Sequence, residues 1–291
     1  MHTIKAKSLL HKSGSGFGMN LYRGCTHGCI YCDSRSLCYG FTHPFEDIEV
    51  KENAPALLEA TLKGRRSACM IGTGSMSDPY QPCEEALGLT RRCLELIHQS
   101  GFGAAVLTKS DRILRDLDLL EAIHQQTKAV VQMTLTTWDD DLCRILEPKV
   151  CNTKRRLEVL AAVQARKIPS FVWLSPILPF LNDTEENLTA ILKACAELGV
   201  RGLVCFDMGL TIRDGNREYF YAALDRHFPG LKERYLHSYG SAYGLSSPHR
   251  DRLMRLFQER CEAAGMLYRP EDCFRWMNEL PQRFEQTRLE L

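Results

Sequence analysis

Three thiols fall within the eight residues Cys25-Thr-His-Gly-Cys29-Ile-Tyr31-Cys32, in the spacing CxxxCxxC. A short loop that gathers thiolates suits a soft, sulfur-loving metal centre, and a cubane iron–sulfur cluster has about four irons to satisfy. Three protein thiolates leave one iron with an open position, where a small molecule carrying an amine and a carboxylate can chelate the metal and receive an electron. His27, inside the loop, reads as a residue packed over such a centre. On the residues alone two other readings stay open: a zinc knuckle using Cys29 and Cys32 with Cys25 and His27, and unliganded buried thiols. No second CxxC pair stands nearby to complete the usual four-ligand zinc cage.

A second segment, Ile71-Gly72-Thr73-Gly74-Ser75-Met76-Ser77-Asp78-Pro79-Tyr80, follows an apolar run and precedes a helical one. Its glycines let backbone N–H groups approach a ligand closely. A third, Leu107-Thr108-Lys109-Ser110-Asp111, sets a cation at the end of another apolar run, where it can pair with a carboxylate. Cys83, at a helix start, is either a hydrogen-atom donor or a buried structural thiol.

The cysteine motif, with the aromatic Tyr31 just before its third cysteine, resembles the signature of the radical S-adenosylmethionine (radical SAM) superfamily. Thr-Lys-Ser-Asp at 108–111 is similar to the spore photoproduct lyase-like branch. So are Met133-Thr134, Leu146-Glu147-Pro148, Arg156-Leu157 and Leu174-Ser175-Pro176-Ile177-Leu178-Pro179 with Asn182-Asp183. The resemblance implies a [4Fe-4S] cluster held by Cys25, Cys29 and Cys32, and S-adenosylmethionine contacted by Tyr31, Ser77, Asp78, Lys109, Thr134, Ser175 and Pro176. It further implies reductive cleavage of the sulfonium to a 5′-deoxyadenosyl radical that abstracts hydrogen from a substrate, with a reducing partner such as flavodoxin or ferredoxin. The substrate class it suggests is a nucleic acid, with a peptide or protein as the alternative and a non-catalytic zinc-binding adaptor as a reading of another kind. The branch carries a hydrogen-donating cysteine and a tyrosine where this chain has Ser75 and Asp33. Because an alcohol O–H is far stronger than a thiol S–H, Ser75 cannot return hydrogen, which counts against repair of spore photoproduct itself.

The elements that must position these residues follow from periodicity. Short apolar, β-rich runs at 17–22, 68–72, 104–108, 129–135, 170–175 and 202–206 read as strands, and helical periodicity fills 54–63, 84–99, 113–124, 154–167 and 185–198. Asn53 and Thr184 stand where N-caps belong. Strand–helix alternation implies a parallel sheet under helices, doubly wound or curled into a barrel. The resemblance selects a partial (β/α)6 TIM-type barrel, an α/β fold, over residues 1–226, its active face at the C-terminal strand ends, with a C-terminal helical extension over 227–291 capping it.

Composition bounds the rest. In 291 residues, 44% hydrophobic and 25% charged, a large core can form without disulfides, so a metal site would serve chemistry. Thirteen scattered cysteines make a poor disulfide scaffold. A net charge of +1 gives no global attraction to nucleic acid or membrane. Basic clusters at 63–66, 154–156 and 250–255, with Tyr235, Tyr239 and Tyr243, could bind phosphates and stack bases, or be solvated helix faces. No run nears the roughly 20 apolar residues of a membrane span and no apolar block opens the chain, so a cytoplasmic location is expected.

Overall fold

A computed structural model describes residues 1–281; residues 282–291 of the expected extension lie outside the described residues. Six parallel strands form the frame: β1 (Gly16–Met19), β2 (Met70–Thr73), β3 (Gly103–Thr108), β4 (Ala129–Thr134), β5 (Ser170–Trp173) and β6 (Gly202–Val204). Each pairs with the next in sequence, and Leu10–Ser13 adds an antiparallel edge beside β1. A doubly wound sheet would reverse strand order midway. This order never reverses, and β6 does not pair with the opposite edge, so the sheet curls as an open, partial barrel.

Helices α1 (Ala54–Lys63), α2 (Leu89–Gln99), α3 (Leu117–Gln126), α4 (Thr153–Ala165) and α5 (Glu185–Glu197) form the successive crossovers. They bury their apolar faces against the outward strand residues Ile71, Ala104, Val131, Val172 and Leu203. The single helix expected over 84–99 is broken at Gly88, whose φ of 58° suits glycine. Thr184 accepts the Asn187 N–H at 3.1 Å as the expected cap of α5. Asn53 holds the cap position of α1, but its side chain bonds both backbone groups of Ala6 at 2.9 Å, tying down the N-terminal strand.

Alternation sends Met70, Ala105, Val130, Phe171 and Val204 to the concave side, where Cys273 and Met277 of the helix Pro270–Asn278 cover them. Lys128, 6% exposed, donates to the carbonyls of Trp276 and, at 2.7 Å, Glu279, satisfying that helix's free C-terminal acceptors. The helix plugs the lower half of the barrel and leaves the C-terminal strand ends open.

The chain after β6 returns to this open end. Strand β7 (Gly209–Thr211) pairs antiparallel with β8 (Gly244–Ser246), so a two-stranded ribbon bridges the boundary expected at residue 227. Between its strands run two helices, Asn216–His227 and Leu231–Tyr239, and after it Arg250–Ala263 packs on α5. Among the described residues no helix is long and apolar enough to cross a membrane.

Candidate active site

The cysteine loop leaves the strand Tyr22–Arg23 at Gly24, whose φ is 83° and where a Cβ would lie 2.4 Å from the Phe45 carbonyl. Only glycine makes that turn. The loop backbone is then held from several sides. The Gly24 carbonyl accepts the Ser77 hydroxyl at 2.7 Å, the Cys25 N–H meets Phe45 at 3.2 Å, and the Thr26 N–H meets the Gln81 amide oxygen at 3.1 Å. At its far end Ile30 donates to Leu146 at 2.9 Å and Lys149 to the His27 carbonyl at 3.1 Å. The backbone is fixed and the thiols are left free.

Cys25, Cys29 and Cys32 face a cavity of about 530 Å³ at the C-terminal ends of the strands. All are free thiols. Burial pushes all three pKa values up: Cys25 to about 12, with Asp78 adding to the effect, and Cys29 and Cys32 against an opposing pull from Lys109. A metal centre must therefore displace protons to bind them. The three sulfurs are not drawn round a single ion. Among the described residues only His2, His43 and Glu49 bring their ligand atoms within 4.8 Å of one another, whereas tetrahedral zinc with bonds of about 2.3 Å needs its sulfurs roughly 4 Å apart.

Beneath the thiols lies a buried charged group. Glu147, 2% exposed, accepts the Tyr31 hydroxyl, pairs with Arg156, and lies 4.0 Å from the Lys109 ammonium. Arg156 also donates to the carbonyls of Thr134 at 3.1 Å and Cys151 at 2.9 Å, tying β4 to α4. Burial alone would push Glu147 up, but Arg156 and then Lys109 outweigh it and hold its pKa low. Burial likewise opposes the charge on Lys109, and Cys29 and Glu147 overcome it and raise its pKa. Asp78 also acts on the ammonium, so Lys109 and Arg156 are balanced by two carboxylates and Lys109 stays charged beside the cavity.

Asp78 organises the backbone that carries Lys109. Its carboxylate accepts the Tyr80 N–H at 2.8 Å, the Thr108 hydroxyl at 2.7 Å and the Lys109 N–H at 2.8 Å, which fixes the backbone that carries the lysine. Its Oδ2 also lies 3.5 Å from His27 Nδ1. His27 is 1% exposed, burial lowers its pKa, and its Nε2 has no partner beside the cavity. Gly74, with φ 100°, lets this wall close, since a Cβ there would sit 1.9 Å from the Leu107 carbonyl.

Of the residues expected from the sequence, Tyr31, Asp78, Lys109, Thr134, Ser175 and Pro176 line the cavity with the three cysteines, and so do Ser75 and Asp33. The structure does not bring Ser77 or Cys83 there. The Ser77 hydroxyl is spent on the Gly24 carbonyl, which makes it a positioning residue for the cysteine loop. Cys83 holds the N-cap position of the short helix Glu84–Leu87 without a side-chain cap bond and packs against the outer core. Cys83→Ala is therefore expected to leave cofactor cleavage unchanged within about twofold, as measured by 5′-deoxyadenosine formation, since changes remote from a site act weakly.

Sequence reasoning missed the rest of the wall: Trp173, Phe206, Asp207 and the ribbon β7–β8. Phe206 is 57% exposed at the mouth and stacks on Phe274 with centroids 6.2 Å apart. No local signal announces a ribbon whose two strands are separated by more than thirty residues. The basic clusters also read differently in three dimensions. Arg156 is buried against Glu147, Arg155 pairs with Asp111 and Glu158, Arg250 with Asp207, and Arg252 with Glu185.

A parallel half-barrel carrying three thiols at its C-terminal mouth defines a class of iron–sulfur enzyme, and the comparisons agree. The family model described as Radical SAM superfamily matches residues 19–195. An uncharacterized protein of Mycobacterium tuberculosis (strain ATCC 25618 / H37Rv) is 31% identical over 271 residues, covering 87% of this chain and 77% of the relative. One from Methanocaldococcus jannaschii is 32% identical over 188 residues, covering 62% of this chain and 69% of that one. Among solved structures, a spore photoproduct lyase variant superposes with a TM-score of 0.68 at 14% identity, covering 92% of this chain and 80% of that one. That likeness is one of fold. The chain belongs to the radical SAM superfamily, whose cofactors are a [4Fe-4S] cluster and S-adenosylmethionine.

Proposed function

We propose that Cys25, Cys29 and Cys32 hold the cluster and that the adjoining cavity binds S-adenosylmethionine, with its mouth open to a hydrogen-donating substrate. The observation that carries this reading is the convergence of three thiols from one pinned loop, a cationic Lys109 and an unpartnered His27 Nε2 on one cavity. When bound, the cluster supplies an electron that cleaves the sulfonium to methionine and a 5′-deoxyadenosyl radical, able to take hydrogen from an unactivated carbon. The protein's part is to orient and shield. Lys109, its backbone held by Asp78, would pair with the cofactor carboxylate, and Thr134, Ser175 and Pro176 would border its nucleoside. A flavodoxin or ferredoxin supplies the electron.

Lys109→Met keeps the length of the side chain and removes its charge. It is expected to weaken S-adenosylmethionine binding by roughly tenfold or more, in line with the 1.5–3 kcal/mol of a charge-assisted hydrogen bond, with iron content preserved. Equilibrium binding to the reconstituted protein measures this, and unchanged affinity would remove Lys109 from the cofactor site.

For the substrate, a nucleic acid is the reading we favour, because the exposed Phe206 on Phe274 offers a flat apolar surface for a base at the mouth of the cavity. The decisive test incubates the reduced protein with deuterated DNA, RNA and peptide pools and follows deuterium into 5′-deoxyadenosine. Transfer from DNA or RNA supports the reading, and transfer from peptides alone replaces it.

A further inference from the structure

Outside the cavity, one group of side chains has the chemistry and spacing of a second metal site. His2–Ile4 pairs in parallel with Glu49–Lys51, and the register sets His2 opposite Glu49. Residues facing each other across two strands point to the same side of the sheet. The segment between Tyr39 and Glu49 brings His43 over this pair. Its Nε2 lies 2.9 Å from Glu49 Oε1, and its ring meets that of His2 edge-on with centroids 5.0 Å apart. One ligand atom from each of the three residues falls within 4.8 Å of the others.

We infer that His2, His43 and Glu49 form a binding site for a divalent first-row cation, Zn²⁺ foremost, that clamps the segment under the cysteine loop. Two imidazoles and a carboxylate are borderline ligands that zinc takes readily, at about 2.0–2.2 Å, which sets neighbouring ligand atoms roughly 3.4 Å apart. Where metal enters, it replaces the His43–Glu49 hydrogen bond.

The carboxylate is already oriented as a ligand would be. Arg23 Nη1 donates to both Glu49 oxygens, at 2.9 and 3.0 Å, the outer-shell support that fixes metal-binding carboxylates. Asp47 lies alongside, its Oδ2 3.2 Å from His2 Nδ1 and 3.9 Å from His43 Nδ1, close enough to support either imidazole. Asp47 is shared with the Met1 ammonium at 2.5 Å, so the ligand set rather than net charge favours a cation.

Its location gives the site a use. Arg23 sits opposite Glu49 in the antiparallel pairing that leads into the cysteine loop, and the same segment supplies the Phe45 carbonyl that holds the Cys25 N–H. A metal bound here links the N-terminal strand, the 39–49 segment and the entrance of the loop, and stiffens all three. None of its ligands lines the cavity, so its role is structural.

The test uses full-length, tag-free protein with the cluster reconstituted and the thiols thereby occupied, titrated anaerobically with Co²⁺ and then Zn²⁺. One equivalent of Co²⁺ is expected, with weak d–d absorption, no sulfur-to-cobalt charge transfer, and displacement by Zn²⁺. His43→Ala and, separately, the exposed His2→Ala are each expected to lower affinity by at least about tenfold, the lower end of what losing even an outer-shell partner costs. His2→Ala guards against a folding defect in the other variant. Equal cobalt binding by wild type and the His2→Ala/His43→Ala double variant, or a charge-transfer band reporting thiolate ligands, would overturn the proposal. Iron is counted in the same sample, so failure here with about four irons retained is distinguishable from failure of the cluster assignment.

Discussion

Cys29→Ala is expected to leave the protein colourless, with iron and sulfide near zero after anaerobic reconstitution, and to abolish dithionite-dependent formation of 5′-deoxyadenosine. Cys29 is the central thiol of the loop and 9% exposed. The neighbouring thiols are fixed by a backbone that hydrogen bonds pin at both ends, so no spare sulfur can swing in. Among the described residues the other cysteines lie off the cavity wall. Two thiolates cannot anchor a cube whose fourth corner is left to a small molecule. The substitution removes only a small buried side chain, so stability should fall by about 1–2 kcal/mol and the far-ultraviolet circular dichroism should be unchanged. A brown variant that still makes 5′-deoxyadenosine would require another residue to be the ligand. Stoichiometric zinc in place of iron in the wild type would restore the adaptor reading.

The chemistry of this chain was legible where it is local. The CxxxCxxC array, the glycine-rich turn after β2 and the lysine after β3 each lie in one short segment, and the strand–helix alternation that brings them to one end repeats plainly along the chain. Boundaries differ by a few residues, as with Gly88 breaking the helix before α2, because a left-handed residue breaks the backbone of a helix without disturbing its apolar periodicity. What could not be read depends on contacts between distant segments. Ser77 resembles a ligand-contacting serine in sequence, and only the arrival of the Gly24 carbonyl from fifty-three residues away commits its hydroxyl. Arg156 looks like one member of a basic surface cluster, yet its place on α4 turns it inward while Lys154 and Arg155 face out. The ribbon β7–β8 is a pairing of two three-residue strands, too short for alternation to register, so the mouth of the cavity was invisible to periodicity.

The buried network beneath the cysteine loop should be the most costly part of the site to break. Arg156→Met preserves much of the apolar stem and leaves Glu147 ionised, buried and short of its main partner, while the Thr134 and Cys151 carbonyls lose their donors. Removing one member of a buried pair costs about 3–5 kcal/mol, a fifth or more of the roughly 5–15 kcal/mol that holds a domain together. The expected drop in melting temperature is roughly 5–8 °C at this chain size. Arg156→Met combined with Glu147→Gln should recover part of the loss, because the amide can still accept from Tyr31 and the unpaired carboxylate is gone, while Lys109 keeps Asp78 as an acidic neighbour. The same pair predicts a pH dependence. Glu147 has a folded pKa below its ordinary value of 4.5, so its contribution is fully present above that value and is lost as pH falls through the folded pKa. Wild type should therefore lose stability below about pH 4.5 more steeply than the double variant, which has no carboxylate to protonate at this position. Denaturant unfolding of the three proteins across that range decides it: parallel curves would mean that Glu147 and Arg156 are no more strongly coupled than a surface pair.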